Sequence, residues 1–221
     1  MKSLNQEILK FEYEQNFKDH DFYVSKCNEY SYKLLNDWPK WEKKFVSLNG
    51  EKFSGKTHLI NIFLQKFQGI KVNANEINNN FLKKIKIYQN IVIEDLSEIV
   101  EEELLFTLLN IIDQDNKYLI ITSIKPIVDF KFRLNDLNSR TKNFLISTIQ
   151  KPEDDLLHAL ILKNLSDRQI LIDKKLIDFI IKRINRSYGK ISDFIYKIDE
   201  ISLKRKKPID FKIIKEALGS K

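Results

Sequence analysis

Short hydrophobic runs alternate with amphipathic stretches along the first two thirds of the chain. The runs cover residues 45–48, 90–96, 118–123 and 144–149. Uninterrupted runs of this length are typical of strands buried on both faces of a parallel sheet. Residues 100–112 carry leucine and isoleucine at helical spacing. The alternation predicts an α/β fold in which crossover helices cover a parallel sheet.

The pattern differs at the two ends of the chain. Near the N-terminus, the apolar triplet Phe22–Val24 predicts a strand and residues 30–35 predict a helix. From Lys151 onward the pattern is helical throughout, and the predicted helices cover residues 153–166, 173–186, 189–203 and 210–218. We therefore expect a polar tail over residues 1–20, an α/β part over 21–150 and a small α-helical lid over 151–221.

The segment after the first run has the sequence of a phosphate-binding loop. Residues 50–57 read GEKFSGKT and match G-x-x-x-x-G-K-[ST] at every fixed position, between a predicted strand and a predicted helix. Backbone N–H groups of such a loop hold phosphate oxygens, while Lys56 is expected to reach the outer phosphates and Thr57 to hold Mg²⁺. The alternative is a plain turn that contains Gly-Lys. The candidate nucleotide-binding residues in the loop are Gly50, Ser54, Gly55, Lys56, Thr57 and His58.

Two acids end the second run, at the edge where a phosphate-binding loop needs a carboxylate from a neighbouring strand. Of Glu94 and Asp95, one is expected to attend the metal and the other to orient the attacking water, so both are candidate catalytic residues. The alternative is an acidic strand end that caps the next helix. Thr122 and Ser123 end the third run, where a hydroxyl either approaches the terminal phosphate or closes an ordinary turn.

The first 132 residues contain no arginine, and Arg140 stands shortly before the last run. On the residues alone it is either an ordinary surface residue or an arginine finger, a side chain that reaches the nucleotide of a neighbouring molecule.

The charge, the apolar runs and the cysteine count bear on which partners and which cell compartment to expect. The net charge is +7, but only six of the 38 basic residues are arginine, and the lysines are spread along the chain. The densest cluster of basic side chains, residues 204–207, is either a solvated helix end or a nucleic-acid contact. No apolar run approaches the roughly 18 residues of a membrane span, and the single cysteine leaves no internal disulfide. We expect a cytoplasmic protein without membrane contact.

The ordered series of segments resembles the AAA+ ATPases of the DnaA branch. The series consists of residues 21–28, the phosphate loop with its Thr-His-Leu, residues 91–96, 120–126, 136–140 and 186–191. The resemblance implies the P-loop AAA+ fold with a helical lid, bound ADP or ATP with Mg²⁺, Arg140 as the arginine finger and Lys190 as the lid residue that faces the nucleotide.

Within that branch the chain resembles the Hda group of regulatory inactivators of DnaA, which lack the origin-binding domain of the initiator. Residues 6–11 read QEILKF and resemble sliding-clamp-binding peptides, with Gln6, Leu9 and Phe11 as the anchors. The resemblance implies two partners, the DnaA initiator and the DNA polymerase III sliding clamp (its beta subunit), with weak or indirect DNA binding and self-association left open. It implies that the protein stimulates hydrolysis of initiator-bound ATP and so restrains replication.

The chain departs from the family pattern at three positions. Glu94 stands at the position that the family uses to hold the metal and replaces an aspartate there. Ile124 replaces an acid after the Thr-Ser pair. Lys190 replaces an arginine and so loses its two-pronged donor geometry. We therefore expect a nucleotide-binding protein with weak or no ATPase activity of its own. Two alternatives stay open: a helicase-loader-like, DNA-binding ATPase adaptor, and a nucleotide-dependent scaffold without stimulatory activity.

Overall fold

A computed structural model describes residues 22–219, and its centre is a parallel β-sheet. The strands within these residues are β1 (Phe45–Asn49), β2 (Ile70–Asn73), β3 (Asn90–Leu96), β4 (Tyr118–Ser123) and β5 (Phe144–Thr148). Their order across the sheet is β2-β3-β4-β1-β5, and every pair is parallel. Parallel neighbours require crossovers, and helices supply them.

Helices cover both faces of the sheet and make up the last third of the chain. They are α1 (Glu29–Asn36), α2 (Lys56–Phe67), α3 (Asn79–Lys84), α4 (Glu102–Gln114), α5 (Asn135–Thr141), α6 (Asp154–Asp167), α7 (Lys174–Ile181), α8 (Tyr188–Arg205) and α9 (Phe211–Leu218). The α/β architecture followed by a helical lid, as predicted from the sequence, is confirmed.

Three hydrophobic clusters hold these layers together. One lies on the sheet face covered by α3, α4 and α5, and a second lies on the opposite face under α1 and α2. The third is formed by residues between 157 and 218, so the last helices close an apolar core of their own. This separation agrees with a lid that begins near residue 151, although the exact domain boundary stays a prediction.

The strand register decides where the functional residues can lie. Asn49, the last residue of β1, is opposite Ser123 on β4 and Thr148 on β5. The carboxyl ends of β1, β4 and β5 therefore meet at one edge of the sheet, directly below the loop that leaves β1. In open parallel sheets this edge is where ligands bind.

Two local predictions need correction, and two elements were not predicted. Phe22–Val24 forms no strand but an irregular segment, in which Phe22 packs on α1 and α2 while Tyr23 and Val24 are exposed. Strand β2 and helix α3 were not predicted, since β2 is a four-residue edge strand with half-exposed residues and α3 lies in an Asn-rich stretch. The helix predicted over residues 173–186 ends at Ile181.

The predicted clamp-binding residues Gln6, Leu9 and Phe11, like the whole tail over residues 1–20, lie outside the described residues. Over residues 22–219, none of the helices combines the length and the apolar character that crossing a membrane requires.

Candidate functional site

The loop over residues 50–57 joins β1 to α2 and fits closely against the sheet edge. Gly50 N donates to Ser123 O at 3.2 Å. A Cβ atom at Gly50 would lie 2.8 Å from Ser54 Oγ and 3.1 Å from Ile149 Cβ, so only glycine fits without displacement. Gly55 has φ +93° and starts α2, which directs the N–H groups of the first helical turn towards the loop.

Lys56 is buried under this loop. Its Nζ donates to Gly50 O and Glu51 O, each at 2.8 Å, so the side chain folds back along the loop it follows. Burial lowers the pKa of the Lys56 ammonium below its usual value, and the nearby Asp95 carboxylate opposes that shift. The loop therefore holds one positive charge at its centre, beside the N–H groups of the first turn of α2, which is the electrostatic arrangement that binds phosphate.

Other loop residues complete the concave surface. Ser54 Oγ is buried, and no group within the described residues hydrogen-bonds it. Thr57 is exposed at the start of α2, and the His58 ring meets the Phe22 ring edge-on at 5.3 Å. Phe53 adopts the left-handed region at φ +68° although it is not glycine, a strain that is typical of functional loops.

The structure separates the two acids at the end of β3. Glu94 Oε2 pairs with Lys71 Nζ of β2 at 3.1 Å, and Lys71 also donates to Asn61 of α2. Glu94 Oε1 is buried and has no hydrogen-bond partner among residues 22–219. Asp95 is exposed and acts electrostatically on Lys56. Asp95 is thus the acid that the structure brings towards the phosphate loop, while Glu94 is engaged by the neighbouring strand.

An irregularity in the sheet causes this separation. The register between β3 and β4 shifts between Ile93 and Leu96, and Asp95 takes φ +56°. Thr122 Oγ1 accepts a hydrogen bond from Asp95 N at 3.0 Å and holds the shifted backbone. Ser123 Oγ donates to Lys125 O instead, so it closes the turn after β4. Of the two hydroxyls at the end of β4, the Thr122 hydroxyl is therefore the one that holds the backbone of Asp95.

The lid meets the phosphate loop at the start of α8. A Cβ at Gly189 would lie 3.8 Å from Phe53 Cδ2, and the exposed Lys190 follows directly. Tyr188 is buried next to them; its hydroxyl donates to Gln150 O at 3.0 Å and lies 3.8 Å from Cys27 Sγ. Gln150 N in turn donates to Cys27 O. These contacts tie the first described segment, the end of the sheet and the lid together.

Replacing Tyr188 with phenylalanine tests this junction. Burial, aided by Cys27 and Glu51, raises the pKa of the Tyr188 phenol well above its usual value. The unfolded chain ionises this phenol above about pH 10, whereas the folded protein keeps it neutral. Above about pH 10, the Tyr188 phenol should therefore lower the unfolding free energy of the native protein by up to about 1.4 kcal/mol per pH unit. Tyr188→Phe should remove this pH-dependent loss.

Urea unfolding at pH 8 and above pH 10 measures the effect. At pH 8 the variant should lose about 1 kcal/mol, from the missing hydrogen bond to Gln150 O. Tyr196→Phe is the matched control because Tyr196 is exposed on the same helix. Equal pH slopes for all three proteins would contradict the role given to Tyr188.

Replacing Gly55 with alanine tests the geometry of the loop. The left-handed backbone costs a non-glycine residue roughly 1–2 kcal/mol, and the added Cβ would also lie 3.1 Å from Phe22 Cε2. Gly219→Ala is the control, since Gly219 has φ +74° with no atom within 4 Å of the new Cβ. Gly55→Ala should destabilise the protein more than Gly219→Ala in thermal unfolding; equal losses would refute crowding by Phe22.

Arg140 lies in the last turn of α5 and packs on α4. One of its terminal nitrogens donates to Asn110 Oδ1, and the other lies 3.7 Å from Asp113 Oδ2. The guanidinium carbon is 5.3 Å from the centre of the Phe106 ring. The Arg140 side chain keeps 29% of its surface exposed, so part of the guanidinium is open to another molecule.

Arg140 and the phosphate loop lie at opposite ends of the strands: the loop lies at their carboxyl ends and Arg140 at their amino ends. The loop leaves the carboxyl end of β1 at Asn49, whereas Arg140 stands four residues before the amino end of β5. Strands β1 and β5 pair in register over five residues, a span of roughly 13 Å at about 3.3 Å per step. The guanidinium is further anchored near the end of α4, which leads into the amino end of β4. Arg140 is therefore directed away from the phosphate loop of its own chain.

Two residues that hold this arginine region were not singled out in the sequence. Glu102 of α4 accepts hydrogen bonds from Arg133 N and Leu134 N, which lowers the pKa of the Glu102 carboxyl and fixes the chain before α5. Asn138 exchanges two hydrogen bonds with the backbone of Phe132. Asn138 lies inside the segment 136–140, so the sequence could have suggested a structural role for its amide. The role of Glu102 could not be seen in the sequence, because its partner Arg133 is 31 residues away.

The chain is similar in sequence to replication initiator proteins. No protein-family model matches the chain. The chromosomal replication initiator protein DnaA of Leifsonia xyli subsp. xyli is 23% identical over 192 residues, covering 76% of this chain and 41% of that protein. DnaA of Lachnoclostridium phytofermentans is 26% identical over 150 residues, covering 66% and 33%. The chain thus spans less than half the length of these relatives.

Comparisons with solved structures agree on the fold. Domain III of the Thermotoga maritima replication initiation protein DnaA superposes with a TM-score of 0.77 at 16% identity, over 92% of this chain and 95% of that one. AMPPCP-bound DnaA from Aquifex aeolicus gives 0.67 at 17% identity, over 84% and 66%. A Thermotoga maritima RuvB variant gives 0.64 at 14% identity, over 80% and 62%. The fold is therefore that of a P-loop AAA+ module, like domain III of DnaA.

Proposed function

We propose that this protein is a DnaA-related regulator that stimulates hydrolysis of the ATP bound to the replication initiator DnaA, together with the DNA-loaded sliding clamp. The observation that carries the proposal is the position of Arg140, which is partly exposed at the sheet edge opposite to the phosphate loop of its own chain. In this position Arg140 would act on a nucleotide held by another molecule and not on that of its own chain. The likeness to domain III of DnaA supports an initiator as that molecule.

The protein's own phosphate loop is proposed to bind ADP or ATP. Backbone N–H groups around Gly55 and the start of α2 would hold the phosphates, and Lys56 would exchange its contacts with Gly50 O and Glu51 O for phosphate oxygens. The buried, unpartnered Ser54 Oγ, judged over the described residues, fits a site that takes a further polar group. Lys190, one residue after the contact between Gly189 and Phe53, would approach the same nucleotide from the lid.

The residues present also fit Mg²⁺. A threonine hydroxyl and a carboxylate are the oxygen ligands that this ion prefers, and Thr57 and Asp95 both lie exposed at the loop edge. When bound, the ion would neutralise charge on the outer phosphates. Glu94, the residue expected to attend the metal, is paired with Lys71, which favours Asp95 for this role. Because Glu94 is engaged by Lys71, only Asp95 of the two acids is left to serve the phosphate loop, and this supports weak ATP hydrolysis by the protein itself.

Exchanging each acid for its amide distinguishes these roles. Asp95→Asn should reduce the gain in ATP affinity that Mg²⁺ provides by about tenfold, because the carboxylate near Lys56 is lost. Glu94→Gln should change that gain less, because its charge is directed at Lys71. Nucleotide titrations with Mg²⁺ and with EDTA measure the difference. A larger loss in Glu94→Gln would return the metal role to Glu94.

Clamp tethering is the second part of the proposal and rests on the sequence of the tail. Gln6, Leu9 and Phe11 would enter the peptide-binding groove of the sliding clamp. Tethering raises the local concentration of the regulator beside DNA that carries an assembled clamp. Stimulation would then follow replication already under way, and renewed initiation would be restrained.

Conversion of initiator-bound radiolabelled ATP to ADP tests both parts together. The reaction contains DnaA, DNA-loaded clamp and either the full chain or a form without residues 1–12. Conversion that needs both the clamp and the tail is the expected result. Conversion by neither form would refute the proposed function, and conversion by both forms equally would refute tethering.

A DNA-binding adaptor is the competing function, and the basic cluster at the end of α8 is its main support. Two of its cations are engaged within the chain: Lys204 Nζ pairs with Glu200 at 2.7 Å, and Arg205 pairs with Glu216. These pairs leave less free positive charge for phosphates. Single-stranded DNA affinity that falls steeply with salt would nevertheless favour the adaptor.

A further inference from the structure

Helix α4 ties both ends of α5 through one row of side chains. Glu102, Phe106, Asn110 and Asp113, called the α4 row below, are spaced by four, four and three residues and so lie on one helix face. Glu102 holds the chain at the start of α5 through Arg133 N and Leu134 N. The other three contact Arg140 in the last turn of α5. The row therefore spans the whole length of the shorter helix.

The contacts on Arg140 differ in kind. The guanidinium carbon lies over the Phe106 ring, a cation–π contact that attracts the positive charge without neutralising it. Asn110 accepts a hydrogen bond from one terminal nitrogen without neutralising the positive charge. Asp113 is 68% exposed and 3.7 Å from the other terminal nitrogen, so solvent screens its attraction. The neutral amide thus makes the direct bond, and the carboxylate contributes weakly.

This arrangement suits an arginine that must meet a phosphate on another molecule. A guanidinium has five N–H donors, and within residues 22–219 Asn110 accepts from one of them while Asp113 lies 3.7 Å from the second terminal nitrogen, so further donors can meet a phosphate. A long, freely rotating side chain would lose rotamer entropy when it docks, whereas a side chain already held in place loses less. A carboxylate in place of Asn110 would instead lower the net positive charge.

We infer that Asn110 is a positioning residue for Arg140, and that its neutral side chain fixes the guanidinium while preserving its charge; the inference rests on the proposed function. Asn110 itself touches no nucleotide in this scheme. Its effect must therefore pass through Arg140, and it should alter the maximal rate of stimulated hydrolysis and leave the affinity between the two proteins unchanged.

The stimulated hydrolysis assay with the full chain and DNA-loaded clamp tests this inference. Asn110→Ala should lower the maximal rate about 10- to 100-fold, the order of loss that follows from a misplaced catalytic group. The concentration of regulator that gives half-maximal stimulation should stay unchanged. Asn110→Asp keeps the acceptor oxygen but adds a negative charge beside the guanidinium, so it should recover only part of the lost rate. Thr107→Ala is the matched control, since Thr107 is exposed on α4 and its hydroxyl bonds Glu103 O.

Parallel measurements separate the possible failures. If Arg140→Ala leaves stimulation intact, the proposed function is wrong. If Arg140→Ala removes stimulation while Asn110→Ala matches Thr107→Ala, only the positioning role is wrong. The role is equally overturned if Asn110→Ala shifts half-maximal stimulation alone, if Asn110→Asp reaches the full rate of the native protein, or if the loss of rate merely follows a lowered melting temperature.

Discussion

Replacing Arg140 with alanine is expected to reduce the stimulated hydrolysis of initiator-bound ATP by about 10³- to 10⁵-fold, the contribution that arginine fingers make to phosphoryl transfer. The reason is geometric: Arg140 is partly exposed and is held on α4 at the sheet edge opposite to its own phosphate loop. Clamp binding and nucleotide binding by the variant should be unchanged, because neither uses this surface. Single-turnover conversion of ATP to ADP on the initiator measures the loss.

Two further variants sharpen that experiment. Arg140→Lys keeps the charge but loses the planar donor fork, so it should retain only a small part of the stimulation. Arg133→Ala removes an exposed arginine from the same segment and should have little effect, because the Arg133 contact with Glu102 is made by its backbone. Full stimulation by Arg140→Ala would exclude the finger role.

Replacing Lys56 with alanine is expected to weaken the binding of ADP and ATP to this protein by about 10- to 100-fold, as loss of a hydrogen bond from a charged donor costs about 1.5–3 kcal/mol. Lys56 is the buried cation of the phosphate loop and has no substitute within it, because Lys52 points outward over the Phe53 ring. Titration with a fluorescent nucleotide measures the change. A native-like melting curve without nucleotide would show that the variant is folded.

Lys52→Ala is the control for the Lys56 experiment. It removes the same charge from the same loop, but the Lys52 ammonium lies 5.3 Å from the Phe53 ring centre and is exposed. Its effect on nucleotide affinity should stay near the small value of a screened surface charge. Equal losses in both variants would mean that general electrostatics, and not the buried lysine, binds the phosphates.

The elements found from the sequence are those whose signal is local. Strands β3 and β4 are uninterrupted apolar runs, and the predicted bounds match the observed ones, Asn90–Leu96 and Tyr118–Ser123. Strand β2 failed to stand out because Ile70–Asn73 alternates and is short, as an edge strand often is. Phe22–Val24 was predicted as a strand because three apolar residues in a row are typical of strands. The same residue types can also pack on helices, as Phe22 does against Tyr32 and His58.

The candidate site divides in the same way. The phosphate loop is a contiguous motif, so the position of Lys56 followed from its spacing. The pairing of Glu94 with Lys71 did not, since it depends on a register shift between β3 and β4 and on the left-handed backbone of Asp95. The contact of Arg140 with Asn110 joins residues 30 positions apart and needs the packing of two helices. Such contacts have no signature in the order of residues.

Helix α6 belongs to two apolar clusters at once, and this has a consequence for exchange of amide hydrogens with solvent. Leu156 and Leu160 pack with the cluster under α1 and α2, whereas Leu157, Ile161 and Leu165 pack with α7, α8 and α9. A helix shared in this way couples opening of one cluster to the other. Binding of a ligand to the loop should therefore slow deuterium uptake in α6 and, through the shared lid cluster, to a smaller extent in α9.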